Sequence, residues 1–414
     1  MLDANPSIER RQKVRIATVC RMSDAVAVIW DDAMLEYDLG GDHPLHPIRL
    51  ELTIALARTL GVFEAPAITR LAPIVADEEL LHRIHTPAYI DAVKRAPHDP
   101  YGAGHGLGTP DNPIFDRMHE ASSLIVGGSI QAAEWVWSGK GDHAANIAGG
   151  LHHAMADNAS GFCVYNDPAL AISWLLGQGA QRIAYVDVDV HHGDGVQAAF
   201  YDDPRVLTIS LHQSPLSLFP GTGFPEETGR GEGIGTSINV ALPPRTDDGG
   251  WLRAFHSVVP SALRAFAPDV LVSQCGCDAH RDDPLADLAL SIDGQRASYG
   301  AMHDLAHEIC GGRWLILGGG GYGLVRCVPR AWTHLLAIVG GRPVDPETTI
   351  PAEWLEDVHK RKLRAIPPTR MTEDESAAYT PWEPGGADAI DAAIQRTRRA
   401  SFPLLGLDPD DPRD

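Results

Sequence analysis

Residues 182–195 read R-I-A-Y-V-D-V-D-V-H-H-G-D-G, an apolar run that passes directly into a cluster of acids and histidines. The apolar and β-branched residues of 182–190 predict a buried strand. Similar runs predict three more strands, at 205–211, 269–274 and 313–317. Helix-like sequence such as 251–266 lies between them, and this alternation is typical of parallel β-α-β winding. We therefore predict a single-domain α/β fold, with an open, mostly parallel sheet and helices on both faces.

The flanking sequence extends this prediction in both directions. Two further strands are predicted at 14–20 and 25–30, and three further helices at 49–60, 117–137 and 387–400. Nothing in the middle of the chain has the composition of a linker. We predict a polar leader at 1–13, a catalytic domain at 14–365 and a C-terminal extension at 366–414 that packs on that domain.

The charge balance bears on partners. The 414 residues include 34 Lys and Arg against 55 Asp and Glu, a formal net charge of −21. A surface this acidic repels nucleic acid and suits cationic partners, such as a lysine-rich segment of another protein. The acidity can equally serve solubility alone.

Cysteine usage and hydropathy bear on the compartment. The six cysteines form no C-x-x-C pair, which predicts free thiols in a reducing compartment. The polar N-terminus has no apolar signal core, and the apolar runs fall short of the roughly 20 residues that cross a bilayer. A cytoplasmic location without membrane contact is predicted.

The acids and histidines after the 182–190 strand predict a metal. Ligands of open α/β sheets bind at the carboxyl ends of the strands. Side chains two residues apart share a strand face, so Asp187, Asp189 and His191 are expected to point the same way. Two carboxylates and an imidazole in an apolar core must be paired or bound to a metal. The structural alternative is an aspartate that caps the next helix beside a core histidine.

Three other clusters follow strands or loops. In Q-C-G-C-D-A-H (274–280), Asp278 is a candidate third ligand, and three protein ligands leave a position open for water, as catalytic zinc requires. In G-G-L-H-H-A (149–154), the adjacent imidazoles can face one site only from a loop or turn. In L-G-G-G-G-Y-G (317–323), no phosphate-loop lysine is present, and the glycines deliver Tyr322, a hydrogen-bond donor for an oxyanion.

These motifs together resemble the zinc-dependent histone deacetylase family of the arginase–deacetylase superfamily, most closely its bacterial acetoin-utilisation (AcuC-like) deacetylases. The resemblance runs from about residue 25 to the C-terminal region. The motifs that carry it are D-H-P-L-H-P-I-R-L (42–50), G-L-G-T-P-D-N-P-I-F-D (106–116), G-G-L-H-H-A (149–154), S-G-F-C-V-Y-N-D (160–167), D-V-D-V-H-H-G-D-G (187–195), S-L-H (210–212), F-P-G-T-G (219–223) and G-G-G-G-Y (318–322).

The resemblance implies a role for each catalytic residue. Asp189, His191 and Asp278 match the zinc ligands of the family. His153, oriented by Asp194, matches the general base that activates water and then protonates the leaving lysine amine. His152, held by Asp187, matches the partner that stabilises charge. Tyr322 matches the phenol that polarises the amide carbonyl.

The resemblance also implies a substrate channel and a second ion. Gly161, Phe162 and Phe219 match a narrow apolar tunnel for the lysine stem, and Asp111 a rim carboxylate that grips the substrate backbone. A structural potassium ion is implied, at the positions of Asp187, Asp189, His191, Ser210 and Leu211. The implied activity is removal of acyl groups, acetyl by default, from lysine side chains of proteins. Acetylated acetyl-CoA synthetase is the substrate that the acetoin-utilisation group suggests. Oligomeric state is open.

Three alternatives stay open from the sequence. A pseudo-enzyme that only binds acyl-lysine is disfavoured because Tyr322 and the ligands are present. An arginase-like enzyme with two metals needs further ligands. An acetylpolyamine hydrolase places an acid at the gatekeeper position, which here is Leu285, although Asp282 and Asp283 lie nearby in the sequence.

Overall fold

In the part of the chain that the structure describes, eight strands form one parallel sheet. The structure, a computed structural model, describes residues 25–363, 365–373, 375 and 377–414. Its strands are β1 (Val26–Ile29), β2 (Ile68–Leu71), β3 (His143–Asn146), β4 (Ile183–Asp187), β5 (Val206–Gln213), β6 (Ser237–Leu242), β7 (Val270–Gln274) and β8 (Trp314–Leu317). They lie in the order β2-β1-β3-β8-β7-β4-β5-β6, and every pairing is parallel. The predicted α/β class with a parallel sheet is confirmed.

Helices cover both faces of this sheet. They are α1 (Ile48–Thr59), α2 (Glu78–Leu81), α3 (Pro87–Arg95), α4 (Met118–Trp137), α5 (Asp167–Gly177), α6 (Asp194–Phe200), α7 (Asp248–Phe266), α8 (Ile292–Cys310), α9 (Val328–Val339), α10 (Ala352–Lys360) and α11 (Ala389–Ser401). Helices α4 and α5 pack together on one side, and α7, α8 and α9 pack in succession on the other. The strands β3, β4, β5, β7 and β8 are consequently buried along their whole length.

Most predicted elements are present, with one correction. The predicted leader 1–13 and strand 14–20 lie outside the described residues. The predicted strand 182–190 ends early, at Asp187. The Asp187 carboxylate accepts the N–H of Asp189 at 3.1 Å, and the Asp189 carboxylate accepts the N–H of His191 at 3.0 Å. Two such Asx turns curl the chain out of the sheet, so the three side chains do not share a strand face.

The C-terminal region packs on the sheet layer through α11, which contacts β6 and α7. Buried Arg398 donates to backbone carbonyl oxygens of Ser257 at 2.6 Å and Asp411 at 2.6 Å. Its guanidinium also lies over the rings of Trp382 and Phe402, at 4.6 and 4.2 Å from their centroids. These contacts tie the end of the chain to α7. The division at residue 366 stays a prediction.

The described cysteines are free thiols, as predicted, and all are buried: Cys163, Cys275, Cys277, Cys310 and Cys327. Cys20 lies outside the described residues. Within the described ranges, none of the helices combines the length and apolar character needed to cross a membrane. The cytoplasmic location stays a prediction.

Candidate active site

The four predicted clusters meet at the carboxyl ends of the central strands. Strands β3, β8, β7 and β4 are consecutive neighbours at its centre and run in the same direction. The segments that follow them carry, respectively, the histidine pair, Tyr322, Asp278 and the Asp189–His191 curl. Because the carboxyl ends of parallel strands lie side by side, residues far apart in sequence converge here.

Asp189, His191 and Asp278 form a compact group of donor atoms. His191 Nδ1 lies 3.1 Å from Asp189 Oδ1 and 3.1 Å from Asp278 Oδ2, and all three side chains are buried. One ring nitrogen cannot donate fully to both carboxylates, and two buried carboxylates against one imidazole leave negative charge unbalanced. Burial and then the charge of Asp189 raise the pKa of Asp278 to about 7. The group therefore suits a bound cation.

The remaining carboxylate oxygens are held away from that centre. Asp189 Oδ2 accepts the side-chain N–H of Gln274 and the backbone N–H of Gly320, each at 2.7 Å. Asp278 Oδ1 accepts the N–H of Val190 at 2.8 Å. Such outer hydrogen bonds orient metal-binding carboxylates. Tetrahedral zinc, with bonds of about 2.0–2.1 Å, places its ligand atoms about 3.3 Å apart, so the donor set fits zinc.

His152 and His153 sit in a turn and face each other. Asp187 Oδ2 lies 2.7 Å from His152 Nδ1, and Asp194 Oδ1 lies 2.7 Å from His153 Nδ1. Burial lowers the pKa of His152, but the charges of Asp187 and Asp189 outweigh it and raise that pKa to about 9. Burial, followed by the charge of His152, lowers the pKa of His153 to about 4. At neutral pH the arrangement holds a cation at His152 and a neutral base at His153.

Asp167 positions the turn that carries this pair. Its carboxylate accepts the backbone N–H groups of Gly150 at 3.0 Å and Leu151 at 2.8 Å, and the hydroxyl of Ser129 at 2.5 Å. Gly150 has φ +91°, and a Cβ there would meet the carbonyl carbon of Gly318 at 2.6 Å. The close approach of the β3 and β8 loops thus requires glycine at this position.

Tyr322 enters the site from the glycine-rich loop after β8. Its backbone N–H donates to Asp283 Oδ2 at 2.7 Å, and its ring packs edge-on against Phe162, with centroids 5.6 Å apart. Burial raises the pKa of the phenol well above its ordinary value, so the hydroxyl keeps its proton. A Cβ on Gly320 would lie 2.0 Å from an Asp278 oxygen, so this loop can pass the ligands only as glycine.

A cavity of about 210 Å³ leads to these groups. Every predicted substrate-contacting residue lines it, together with one that was not predicted, Leu218; the lining comprises Asp111, His153, Gly161, Phe162, His191, Leu218, Phe219, Leu285 and Tyr322. Asp111 and Phe219 are exposed, whereas His153 and His191 are buried. The cavity is therefore an apolar channel with a carboxylate at its mouth and imidazoles at its foot.

The residues predicted to hold potassium are neighbours at the start of the curl. Asp187 pairs in register with Ser210 on the adjacent strand β5, and Leu211 follows Ser210. The Ser210 hydroxyl lies 2.8 Å from His212 Nδ1. These residues lie close together, but the binding of potassium here stays a prediction.

Four positioning residues were not assigned a role from the sequence: Gln274, Tyr185, Asp167 and Asp283. The hydroxyl of Tyr185 donates to Asp187 Oδ2 at 2.7 Å. Tyr185 stands two residues before Asp187 on one strand face, and Gln274 is a polar residue at the end of an apolar strand. Both positions are signals that sequence reasoning can use.

Comparison with known proteins identifies the family of the chain. The histone deacetylase domain family model matches residues 43–339, and the chain belongs to this family. It is accordingly a hydrolase of the deacetylase type. Within the family, the chain is 43% identical over 351 residues to the acetoin utilization protein AcuC of Bacillus subtilis (strain 168), a match that covers 84% of this chain and 89% of that protein.

Two further relatives support the assignment. The acetoin utilization protein AcuC of Staphylococcus aureus (strain MSSA476) is 34% identical over 362 residues, covering 86% of this chain and 92% of that protein. The crystal structure of an HDAC homolog from Aquifex aeolicus matches with a TM-score of 0.77 at 30% identity, covering 91% of this chain and 100% of that chain. The predicted family and its acetoin-utilisation branch are confirmed.

Proposed function

We propose that this deacetylase is a zinc-dependent lysine deacylase that removes acyl groups, acetyl foremost, from lysine side chains of proteins. The observation that carries the proposal is the apolar channel, which runs from Asp111 at the surface to His153 and His191 at its foot. Its walls suit an uncharged chain rather than a free ammonium group, because burying an unpaired charge is costly.

Asp189, His191 and Asp278 would hold zinc, since their donor atoms have the mutual spacing described above. When bound, zinc would supply a Lewis acid that activates water and polarises the amide carbonyl. Potassium beside Asp187 and Ser210 is the second ion of the proposal, with a structural role.

The protein groups divide the proton transfers. Asp194 holds Nδ1 of His153. The other ring nitrogen, His153 Nε2, is therefore the atom that takes a proton from the attacking water and returns it to the leaving amine. His152, kept protonated by Asp187, stabilises the negative charge that develops beside it. The hydroxyl of Tyr322 donates to the carbonyl oxygen as that oxygen becomes an oxyanion.

The channel supports protein lysine as the substrate. The rings of Phe162 and Phe219 flank the cavity and can enclose the methylene stem of a lysine side chain. Asp111 at the mouth can accept backbone N–H groups of a bound peptide. The net charge of −21 favours lysine-rich segments. Similarity to the acetoin-utilisation proteins makes acetylated acetyl-CoA synthetase the first physiological substrate to test.

The acetylpolyamine alternative loses its main support. Asp282 pairs with Arg326 at 2.8 Å, Asp283 accepts the N–H of Tyr322, and neither acid is among the described residues that line the channel. The gatekeeper position in the channel wall is the apolar Leu285.

A substrate panel tests the proposal. The zinc-loaded protein is assayed with acetyl-, propionyl-, butyryl-, lactyl- and crotonyl-lysine peptides and with acetylated polyamines. We expect hydrolysis of acyl-lysine and slower turnover of polyamines. Faster turnover of polyamines would establish the alternative, and inactivity toward every acyl-lysine peptide would refute the proposal.

A further inference from the structure

A second histidine cluster lies at the amino ends of the central strands, opposite the active site. His143 is the first residue of β3, and His303 and His307 lie one turn apart on α8. The Nε2 atoms of His143 and His307 are 3.2 Å apart. The three ring centroids lie 4.6, 4.9 and 5.0 Å from one another. One nitrogen from each ring lies within 4.8 Å of the others.

This cluster is separate from the active site. The catalytic residues follow the carboxyl ends of the strands, whereas His143 is at the amino end of β3 and pairs in register with Trp314, at the amino end of β8. Four residues of strand, about 13 Å, lie between the cluster and the first catalytic loop. The deacetylase chemistry uses none of the three histidines.

We propose that His143, His303 and His307 form a second transition-metal site, which takes zinc or another late first-row divalent ion. Tetrahedral zinc with bonds of about 2.0–2.1 Å places ligand nitrogens about 3.3 Å apart, close to the observed 3.2 Å. The four-residue spacing puts His303 and His307 on the same face of α8. Imidazole ligands select zinc, copper or nickel over magnesium or calcium.

The cluster is accessible to a free ion. It lines a cavity of about 630 Å³. His143 is buried, His303 is partly buried and His307 is exposed, so the three histidines extend from the solvent to the amino end of β3. Among the described residues of that lining, the charged side chains are Asp142 and Arg342, which are of opposite sign. Three protein ligands leave a fourth position for water from the cavity.

Metal at this site would join the sheet to α8. Because the three ligands come together only in the folded chain, binding favours the folded state and raises the melting temperature. The site is therefore structural, and activity does not depend on it directly.

Zinc stoichiometry tests the inference. Metal-depleted protein is reloaded with zinc alone, desalted and analysed for zinc per chain. We expect two equivalents in the unaltered protein and one in Asp278→Ala, which loses the catalytic ion. The double variant His303→Ala/His307→Ala should bind one equivalent and keep its deacetylase activity. His359→Ala, which removes an exposed histidine of another helix, is the matched control and should bind two.

A spectroscopic arm separates the two sites. Cobalt(II) added to Asp278→Ala should give the visible absorption of a tetrahedral nitrogen site, and adding His303→Ala/His307→Ala should abolish it. Two equivalents of zinc in the folded double variant would mean that neither ion depends on His303 or His307. That result would overturn the inference. One equivalent in the unaltered protein and in the folded double variant would also overturn it. If Asp278→Ala does not fold, the comparison of the unaltered protein with the double variant decides alone.

Discussion

The Nε2 atoms of His152 and His153 lie 3.0 Å apart, while a separate aspartate holds the far nitrogen of each ring at 2.7 Å. Two imidazoles this close cannot both be positively charged imidazolium ions at low cost. The doubly acidic surroundings of His152 decide which ring is charged. The result is a base and a cation side by side, made from the same residue type.

Asp194→Asn should weaken the base. The Asp194 carboxylate raises the pKa of His153 against the larger lowering by burial and His152. Its removal lowers that pKa further, so the acid limb of kcat/KM against pH should move to lower pH. Turnover at neutral pH should fall by about 10²-fold. Asp202→Asn, at an exposed carboxylate paired with Arg230, should change neither value. An unmoved acid limb would exclude this role for Asp194.

Asp278→Ala should lose the catalytic zinc and the activity together, because the two remaining ligands hold the ion poorly. The measurement is deacetylase turnover alongside zinc per chain. Asp282→Ala, in the same loop but paired with Arg326 and not part of the described channel lining, should retain both. Full activity in Asp278→Ala would require a different ligand set.

Tyr322→Phe should separate turnover from metal content. The phenyl ring can keep its contact with Phe162, so folding, zinc content and KM should change little. Loss of the hydroxyl removes one oxyanion donor, and kcat should fall by about 10²–10³-fold. Steady-state kinetics with an acetyl-lysine peptide measure this. A kcat close to the unaltered value would mean that another group stabilises the oxyanion.

Leu285→Glu should shift the substrate preference toward acetylpolyamines. A carboxylate in the channel wall attracts a second ammonium group and opposes an apolar peptide. The ratio of kcat/KM for acetylpolyamine to that for acetyl-lysine should rise about tenfold or more, about 1.4 kcal/mol. Leu285→Met, which keeps the wall apolar, is the control and should preserve the ratio. An unchanged ratio would show that the gatekeeper position lies elsewhere.

The central strands were predictable because buried parallel strands are continuous apolar runs. Three strands lack that signature. β2 (I-T-R-L) lies at the sheet edge with exposed residues, and β3 (H-A-A-N) contains two alanines, which are poor strand formers. β6 (S-I-N-V-A-L) interleaves polar residues. Tertiary packing, rather than local propensity, makes these segments extended.

The site was predictable in its residue types but not in its connections. Motif resemblance suggests roles for Asp189 and Asp278, whereas Gln274 reaches Asp189 across 85 positions and has no motif of its own. The curl after Asp187 was also missed, because alternation along a strand cannot reveal where carboxylates cap the backbone and end it. The bond from Gln274, in contrast, depends on β7 becoming the neighbour of β4 in the folded sheet.

The buried cysteines have a consequence for oxidative stress. Cys163 donates to the carbonyl oxygen of Gly161 beside the channel, and Cys277 lies next to Asp278. Peroxide attacks thiolates rather than thiols. Burial raises the pKa of Cys275 to about 12 and that of Cys277 well above its ordinary value. The proposed chemistry also uses no thiol. Deacetylation should therefore continue at peroxide concentrations that inactivate cysteine-dependent hydrolases.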